Sequence, residues 1–135
     1  MITGRCLCGG IAYEIRGEFG GAVNCHCSVC RRHTGSAFLT AAMVPRANFT
    51  WTKGQELLRT YQSSAEGVRI FCGNCGSNLA SGAADPKSDL FFIHVGTIDG
   101  DPGVRIESHM FVGSKAPWFE ITDALPQHDT YPPQS

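Results

Sequence analysis

The sequence predicts an all-β domain carrying two metal-binding clusters. Three observations point to it. Apolar and polar residues alternate over segments of strand length, as in Ile11-Ala12-Tyr13-Glu14-Ile15-Arg16, and a period of two marks a half-buried strand. Sixteen glycines and seven prolines are scattered through 135 residues, which divides the chain into many turns and short elements. Seven cysteines fall into three short-spaced groups, Cys6/Cys8, Cys25/Cys27/Cys30 and Cys72/Cys75, a spacing that lets neighbouring thiolates reach one ion.

Taken in order, Gly4 to Gly10 reads as a glycine-flanked turn that holds Cys6 and Cys8. Ile11–Arg16 is a strand stopped by Gly17, and Ala22-Val23-Asn24 is a short strand that delivers Cys25. Cys27–Thr34 forms one or two helical turns, ended by Gly35, since glycine readily takes the left-handed conformation that closes a helix. Ser36–Val44 is a strand ended by Pro45, and Asn48–Trp51 is a shorter one before the turn at Lys53-Gly54. Leu57–Gln62 and Gly67–Phe71 flank a polar turn as a hairpin, which runs into Cys72-Gly73-Asn74-Cys75-Gly76. A Cys-x-x-Cys-Gly after a strand is half of a zinc-ribbon site, because its glycines allow backbone N–H groups to turn toward the sulfurs. Asn78–Ser81 leaves that turn as a strand, Leu90–Val95 is a buried strand, Gly96–Gly103 is a turn-rich loop, and Val104–Val112 is the last long strand.

Length and charge narrow the function. A chain of this size fits one domain with a core of its own, so metal supplements burial and does not replace it. Charged residues make up 17% and the net charge is -1, a balance that suits neither nucleic acid nor an anionic membrane surface. Met1–Arg5 lacks the charged start and apolar run of a secretory leader, and no apolar stretch reaches the length of a membrane span. The expected compartment is the cytoplasm, where thiols stay reduced. There an odd number of cysteines argues for metal over disulfides. The expected organisation is one zinc-binding domain over residues 1–126 and a flexible, proline-rich tail over 127–135. Nothing in the sequence signals an oligomeric state.

The chemistry follows from counting thiols. Four cysteines close a structural zinc, whereas three leave one tetrahedral corner for water or substrate. Cys6, Cys8, Cys72 and Cys75 make a closed set, and Cys25, Cys27 and Cys30 make an open one. Spacing alone also permits Cys72/Cys75 to join Cys27/Cys30, and it permits a histidine among His26, His33, His94 and His109 to close the trio. Arg31 and Arg32 follow the trio directly. They are either solvated surface charges or a clamp for the carboxylate of a small anionic substrate, with Ser36 and Thr34 as candidate hydrogen-bond donors to the same ligand. His94 and His109, in apolar strands, read as buried histidines satisfied by hydrogen bonds, and Trp118 reads as core.

Six pieces of sequence together resemble the glutathione-dependent formaldehyde-activating enzyme family, also called the CENP-V/GFA domain. They are Gly4-Arg-Cys-Leu-Cys-Gly9, Cys25-His-Cys-Ser-Val-Cys-Arg31, Thr34-Gly35-Ser36, Phe71-Cys-Gly-Asn-Cys-Gly-Ser77, Val95-Gly-Thr-Ile-Asp99 and the run from His109 to Trp118. The resemblance implies an Mss4-like β-tent fold. It implies that Cys6, Cys8, Cys72 and Cys75 hold a structural zinc and that Cys25, Cys27 and Cys30 hold a catalytic one. It further implies a carbon–sulfur lyase that joins a small thiol such as glutathione to an aldehyde such as formaldehyde. A different expectation is also consistent with the residues: a non-catalytic zinc module that docks a partner protein, with its second ion closed by protein and an exposed apolar patch nearby. A redox dithiol at Cys72/Cys75 would need a thioredoxin-like βαβ pattern, which is absent.

Overall fold

The computed structural model describes residues 1–133. These form ten strands and one α-helix: β1 (Ile2–Arg5), β2 (Ala12–Ile15), β3 (Ala22–Cys25), α1 (Ser28–Thr34), β4 (Leu39–Met43), β5 (Phe49–Lys53), β6 (Leu58–Gln62), β7 (Gly67–Cys72), β8 (Asn78–Ala83), β9 (Phe91–His94) and β10 (Ile106–Met110). A three-stranded sheet has the order β1-β2-β5, and a seven-stranded sheet has the order β10-β3-β4-β9-β8-β7-β6. The all-β expectation holds, with α1 and four single-turn 3-10 helices as the helical elements among the described residues, and the cysteines lie at or just beyond strand ends.

The core lies mainly where the small sheet covers the large one. Ile11, Tyr13 and Ile15, in and beside β2, are buried with Val44, Leu79, Phe91 and Ile93, and Cys6 and Cys72 belong to the same cluster. Tyr13 stacks on Phe49 at 5.1 Å between ring centroids, and its hydroxyl lies 2.6 Å from Thr97 Oγ1, which satisfies the polar end of a buried ring. A second, smaller cluster gathers Cys25, Cys30, Leu39 and Ala41, with Cys27, Phe92, Met110 and Phe111 packed against it. The two cysteine clusters therefore border different apolar cores, with Cys8 alone exposed.

Two elements depart from the sequence reading. Residues up to Arg5 form β1, paired antiparallel with β2 from Ile2↔Ile15 to Arg5↔Ala12, and the turn begins only at Cys6. Gly4 obscures this strand in the sequence. It is required there because a Cβ would collide with the Tyr13 ring. In addition, β10 pairs parallel to β3, although all other strand pairs among the described residues are antiparallel. Parallel neighbours need a long crossover, here everything between residues 25 and 106, so no local pattern announces them.

The expected loose tail is in fact tied down over residues 126–130. His109 N–H donates to Pro126 O at 2.9 Å, His128 N–H to His109 O at 2.9 Å, and Phe111 N–H to Thr130 O at 2.9 Å. β10 is an edge strand, and an uncovered edge leaves a row of unpaired backbone groups. The proline-rich segment covers that row without forming a full strand. Residues 134 and 135 lie outside the described part.

Candidate metal centres and active site

The four-cysteine group joins two turns that are remote in sequence. Cys6 and Cys8 follow β1, Cys72 ends β7, and Cys75 lies in the turn before β8. Their sulfur atoms all lie within 4.8 Å of one another, with Cys6 Sγ 3.6 Å from Cys8 Sγ and Cys8 Sγ 3.9 Å from Cys72 Sγ. Backbone N–H groups point at the sulfurs: Ile11 N–H to Cys6 at 3.3 Å, Gly10 N–H to Cys8 at 3.4 Å and Asn74 N–H to Cys72 at 3.4 Å. Such donors favour thiolate over thiol. The Ser77 hydroxyl beside Cys75, with backbone N–H groups, holds that thiol down to about 5. Cys8 is likewise lowered, while burial pushes Cys6 up; four converging sulfurs with backbone donors aimed at them fit a closed zinc site.

The three-cysteine group is built by one strand and one helix. Cys25 ends β3, Cys27 caps the N-terminus of α1, and Cys30 lies in its first turn. Cys27 Sγ accepts from Cys30 N–H at 3.3 Å, so a thiol does the work usually done by a serine or aspartate at this position. Gly35 closes the helix with φ 66° and donates its N–H to Arg31 O, as expected. The three sulfurs lie within 4.8 Å of one another. Hydrogen bonds from the Cys25 and Cys30 thiols hold Cys27 well below the ordinary thiol value, and the same sharing pushes Cys25 up. A set in which charge concentrates on one sulfur is receptive to a cation.

No histidine joins this trio among the described residues. The His26 ring turns away to His109, with Nε2 2.9 Å from His109 Nδ1. His109 Nε2 lies 2.9 Å from Asp123 Oδ2. His94 sits between Asn78 O and Ser81 Oγ, each at 3.2 Å. His94 and His109 are thus buried histidines with hydrogen-bond partners, as their strands suggested.

The residues expected to meet a substrate divide. Arg32 and Ser36 are exposed, while Arg31 is half-buried and its Nε is enclosed without a hydrogen-bond partner. Thr34 turns inward on its own helix, its hydroxyl donating to Cys30 O at 2.8 Å. Trp118 is 71% exposed and is not part of the core; its neighbour Phe119 packs near Phe38 and His26 instead. The residue that does reach the trio is Arg69. Its Nη2 donates to Cys30 Sγ at 3.5 Å, and its Nε donates to Ser63 Oγ at 3.4 Å. In sequence Arg69 is one charge in a hairpin, 39 residues from Cys30, and nothing local marks it out.

The fold and these clusters define a class: a β-rich domain with a four-thiol group drawn from two remote turns and a three-thiol group in one strand–helix stretch, each of which could hold a metal ion. Within that class the chain belongs to the family of glutathione-dependent formaldehyde-activating enzymes, whose model matches residues 1–114. A Halomonas elongata protein that carries the family's name is 28% identical over 131 residues, covering 90% of this chain and 81% of its own length. A Schizosaccharomyces pombe protein named an uncharacterized lyase is 25% identical over 120 residues, covering 89% of this chain and 85% of its own. The crystal structure of a Rhodobacter sphaeroides protein superposes with a TM-score of 0.61 at 25% identity, covering 77% of this chain and 98% of that one. The described residues contain no helix long and apolar enough to cross a membrane.

Proposed function

We propose that this protein is a zinc-dependent carbon–sulfur lyase that forms or cleaves adducts between a small thiol and an aldehyde. Glutathione and formaldehyde, the pair in the family's name, are the reference substrates. The observation that carries the reading is the trio Cys25, Cys27 and Cys30, whose sulfurs converge without a fourth protein ligand among the described residues. A zinc ion held by these three would supply an open corner that suits a thiolate sulfur. Cys6, Cys8, Cys72 and Cys75 would hold the second, structural ion.

In the forward direction a carbon–sulfur bond forms between the thiol and the carbonyl carbon, and the thiol proton ends on the former aldehyde oxygen. Thiols add to aldehydes without help, so the chain contributes chiefly by holding the partners together. Arg69 offers a guanidinium beside Cys30, and among the described residues no carboxylate forms an ion pair with it. Arg31, Arg32 and Ser36, on and just after α1, are the further candidates for contact with the thiol, of which Arg32 and Ser36 are exposed. A carboxylate on the thiol would answer this positive edge. Seven thiols kept as ligands require a reducing compartment, and we assign the cytoplasm on that ground.

The test is zinc content together with exchange spectroscopy of formaldehyde and glutathione. Wild type should carry two zinc ions per chain and accelerate interconversion of free and adduct formaldehyde. Cys30→Ser should retain one ion and lose the acceleration. A wild-type protein with two zinc ions and no effect on adduct exchange, for glutathione or any other small thiol, would refute the lyase reading.

A further inference from the structure

The ring between the ligands has a job that neither metal cluster explains. His26 lies between Cys25 and Cys27 and is fully buried. It is held to β10 twice: its N–H donates to Met110 O at 2.9 Å, and its Nε2 lies 2.9 Å from His109 Nδ1. His109, 1% exposed, reaches in turn to Asp123, whose two carboxylate oxygens stand 2.9 and 3.2 Å from its Nε2. Asp123 is fixed by Leu125 N–H at 3.0 Å and is half-exposed.

Directionality follows from donor and acceptor inventory. An ionised carboxylate only accepts, so His109 Nε2 carries the hydrogen. In neutral His109 the other nitrogen, Nδ1, is then an acceptor, and His26 Nε2 must donate to it. His26 Nδ1 is left with its lone pair, and it is enclosed without a hydrogen-bond partner. One surface carboxylate thereby sets the tautomer of a ring two groups inward, between two cysteines of the trio.

We propose that Asp123, His109 and His26 form a directional hydrogen-bond chain that positions the three-cysteine site from outside its ligand set. His26 and His109 are positioning residues, and Asp123 is the anchor that gives the chain its polarity. The physical effect is pre-organisation. Pinning both the main chain and the ring of His26 to β10 removes torsional freedom from the Cys25–Cys27 segment, so the sulfurs converge before an ion arrives. Groups hydrogen-bonded directly to metal ligands are worth roughly tenfold to a hundredfold in affinity; His26 bonds neither sulfur and acts through the main chain it shares with Cys25 and Cys27, so the lower end of that range is expected. The inference rests on the trio being a metal site, but not on the lyase activity.

The experiment uses the full chain and two readouts. Long-range proton–nitrogen correlation spectra of the metal-free protein report histidine tautomers. His26 and His109 should both carry their hydrogen on Nε2. Zinc competition against a chromophoric chelator then measures the two sites. Asp123→Asn should weaken the three-cysteine site by roughly tenfold or more while the four-cysteine site and the melting temperature hold, and Asp123→Glu should recover most of the loss. The proposal is overturned if His26 carries its hydrogen on Nδ1 in wild type, or if Asp123→Asn leaves zinc affinity unchanged. It is equally overturned if both zinc sites weaken together, since the triad would then serve the fold alone. The tautomer readout stands even if no thiol is ever turned over, so failure of the lyase reading remains separable.

Discussion

Arg69 Nη2 lies 3.5 Å from Cys30 Sγ, joining the β6–β7 hairpin to the helix that carries Cys30. The contact places a fixed positive charge beside a cluster that becomes negative when it loses its protons. Hydrogen bonds to charged groups contribute about 1.5–3 kcal/mol. Arg69→Gln should therefore raise the KM of a carboxylate-bearing thiol about tenfold or more, with a much smaller effect on an uncharged thiol such as 2-mercaptoethanol. Equal losses for both thiols would mean that Arg69 serves the cysteines and not the substrate.

The two clusters should respond differently to loss of a ligand. Cys72 is fully buried in the main core with Leu79, so Cys72→Ser removes a proposed metal ligand and puts a hydroxyl into an apolar cluster. Buried polar groups without partners cost about 1–3 kcal/mol before any metal is counted. Cys72→Ser should lower the melting temperature by well over ten degrees, and a strong chelator should act on wild type in the same direction. Cys30→Ser should cost one zinc and only a few degrees. Calorimetry with metal analysis checks both, and a larger thermal loss for Cys30→Ser would reverse the assignment of roles.

Acid should weaken the fold through His94. Burial holds this imidazole neutral, its pKa brought down to about 3, and His33, packed edge-on against it, is lowered for the same reason. The unfolded chain takes up its proton near the ordinary histidine value of about 6.5. Between these values the unfolded state binds more protons, so the contribution is complete above pH 6.5 or so and is lost as pH falls toward 3. The slope from this one group is at most about 1.4 kcal/mol per pH unit. Urea midpoints between pH 7 and 4.5 should show the fall in wild type and a shallower one in His94→Gln. Parallel slopes would show that other groups govern it.

Gly4 should tolerate no side chain. A Cβ there would strike the Tyr13 ring and come within 2.7 Å of Thr97 O, where ring and backbone are both held in the core. Overpacking of this kind costs typically about 1–3 kcal/mol. Gly4→Ala should lower stability by that amount, and a neutral result in chemical denaturation would show that β1 can move away from β2 freely.

Much of this was legible from the residues in order. Alternation marked β2, because a half-buried strand repeats every two residues wherever it packs, and the polar turn between Gln62 and Gly67 marked the β6–β7 hairpin. Gly35 marked the end of α1, because the left-handed cap is a backbone requirement local to one residue. The grouping of seven thiols, too, pointed to metal before any sheet was assembled. These are short-range properties, set by residues a few positions apart and readable before any sheet forms.

Contacts between distant segments were decided by the tertiary structure. Cys8 meets Cys72 across 64 residues, and His26 meets His109 across 83. Both meetings depend on strand order and register, which no local period encodes. β1 was hidden because its glycine, a poor strand former alone, is there to admit Tyr13. Arg69 was hidden because one charge in a hairpin looks like any other until the sheet carries it to Cys30. The segment over 126–130 looked like a loose tail because its prolines and polar residues give it no pattern of its own, and it is ordered by the uncovered edge of β10. In each case the deciding energy lies in a surface that exists only after the chain has folded.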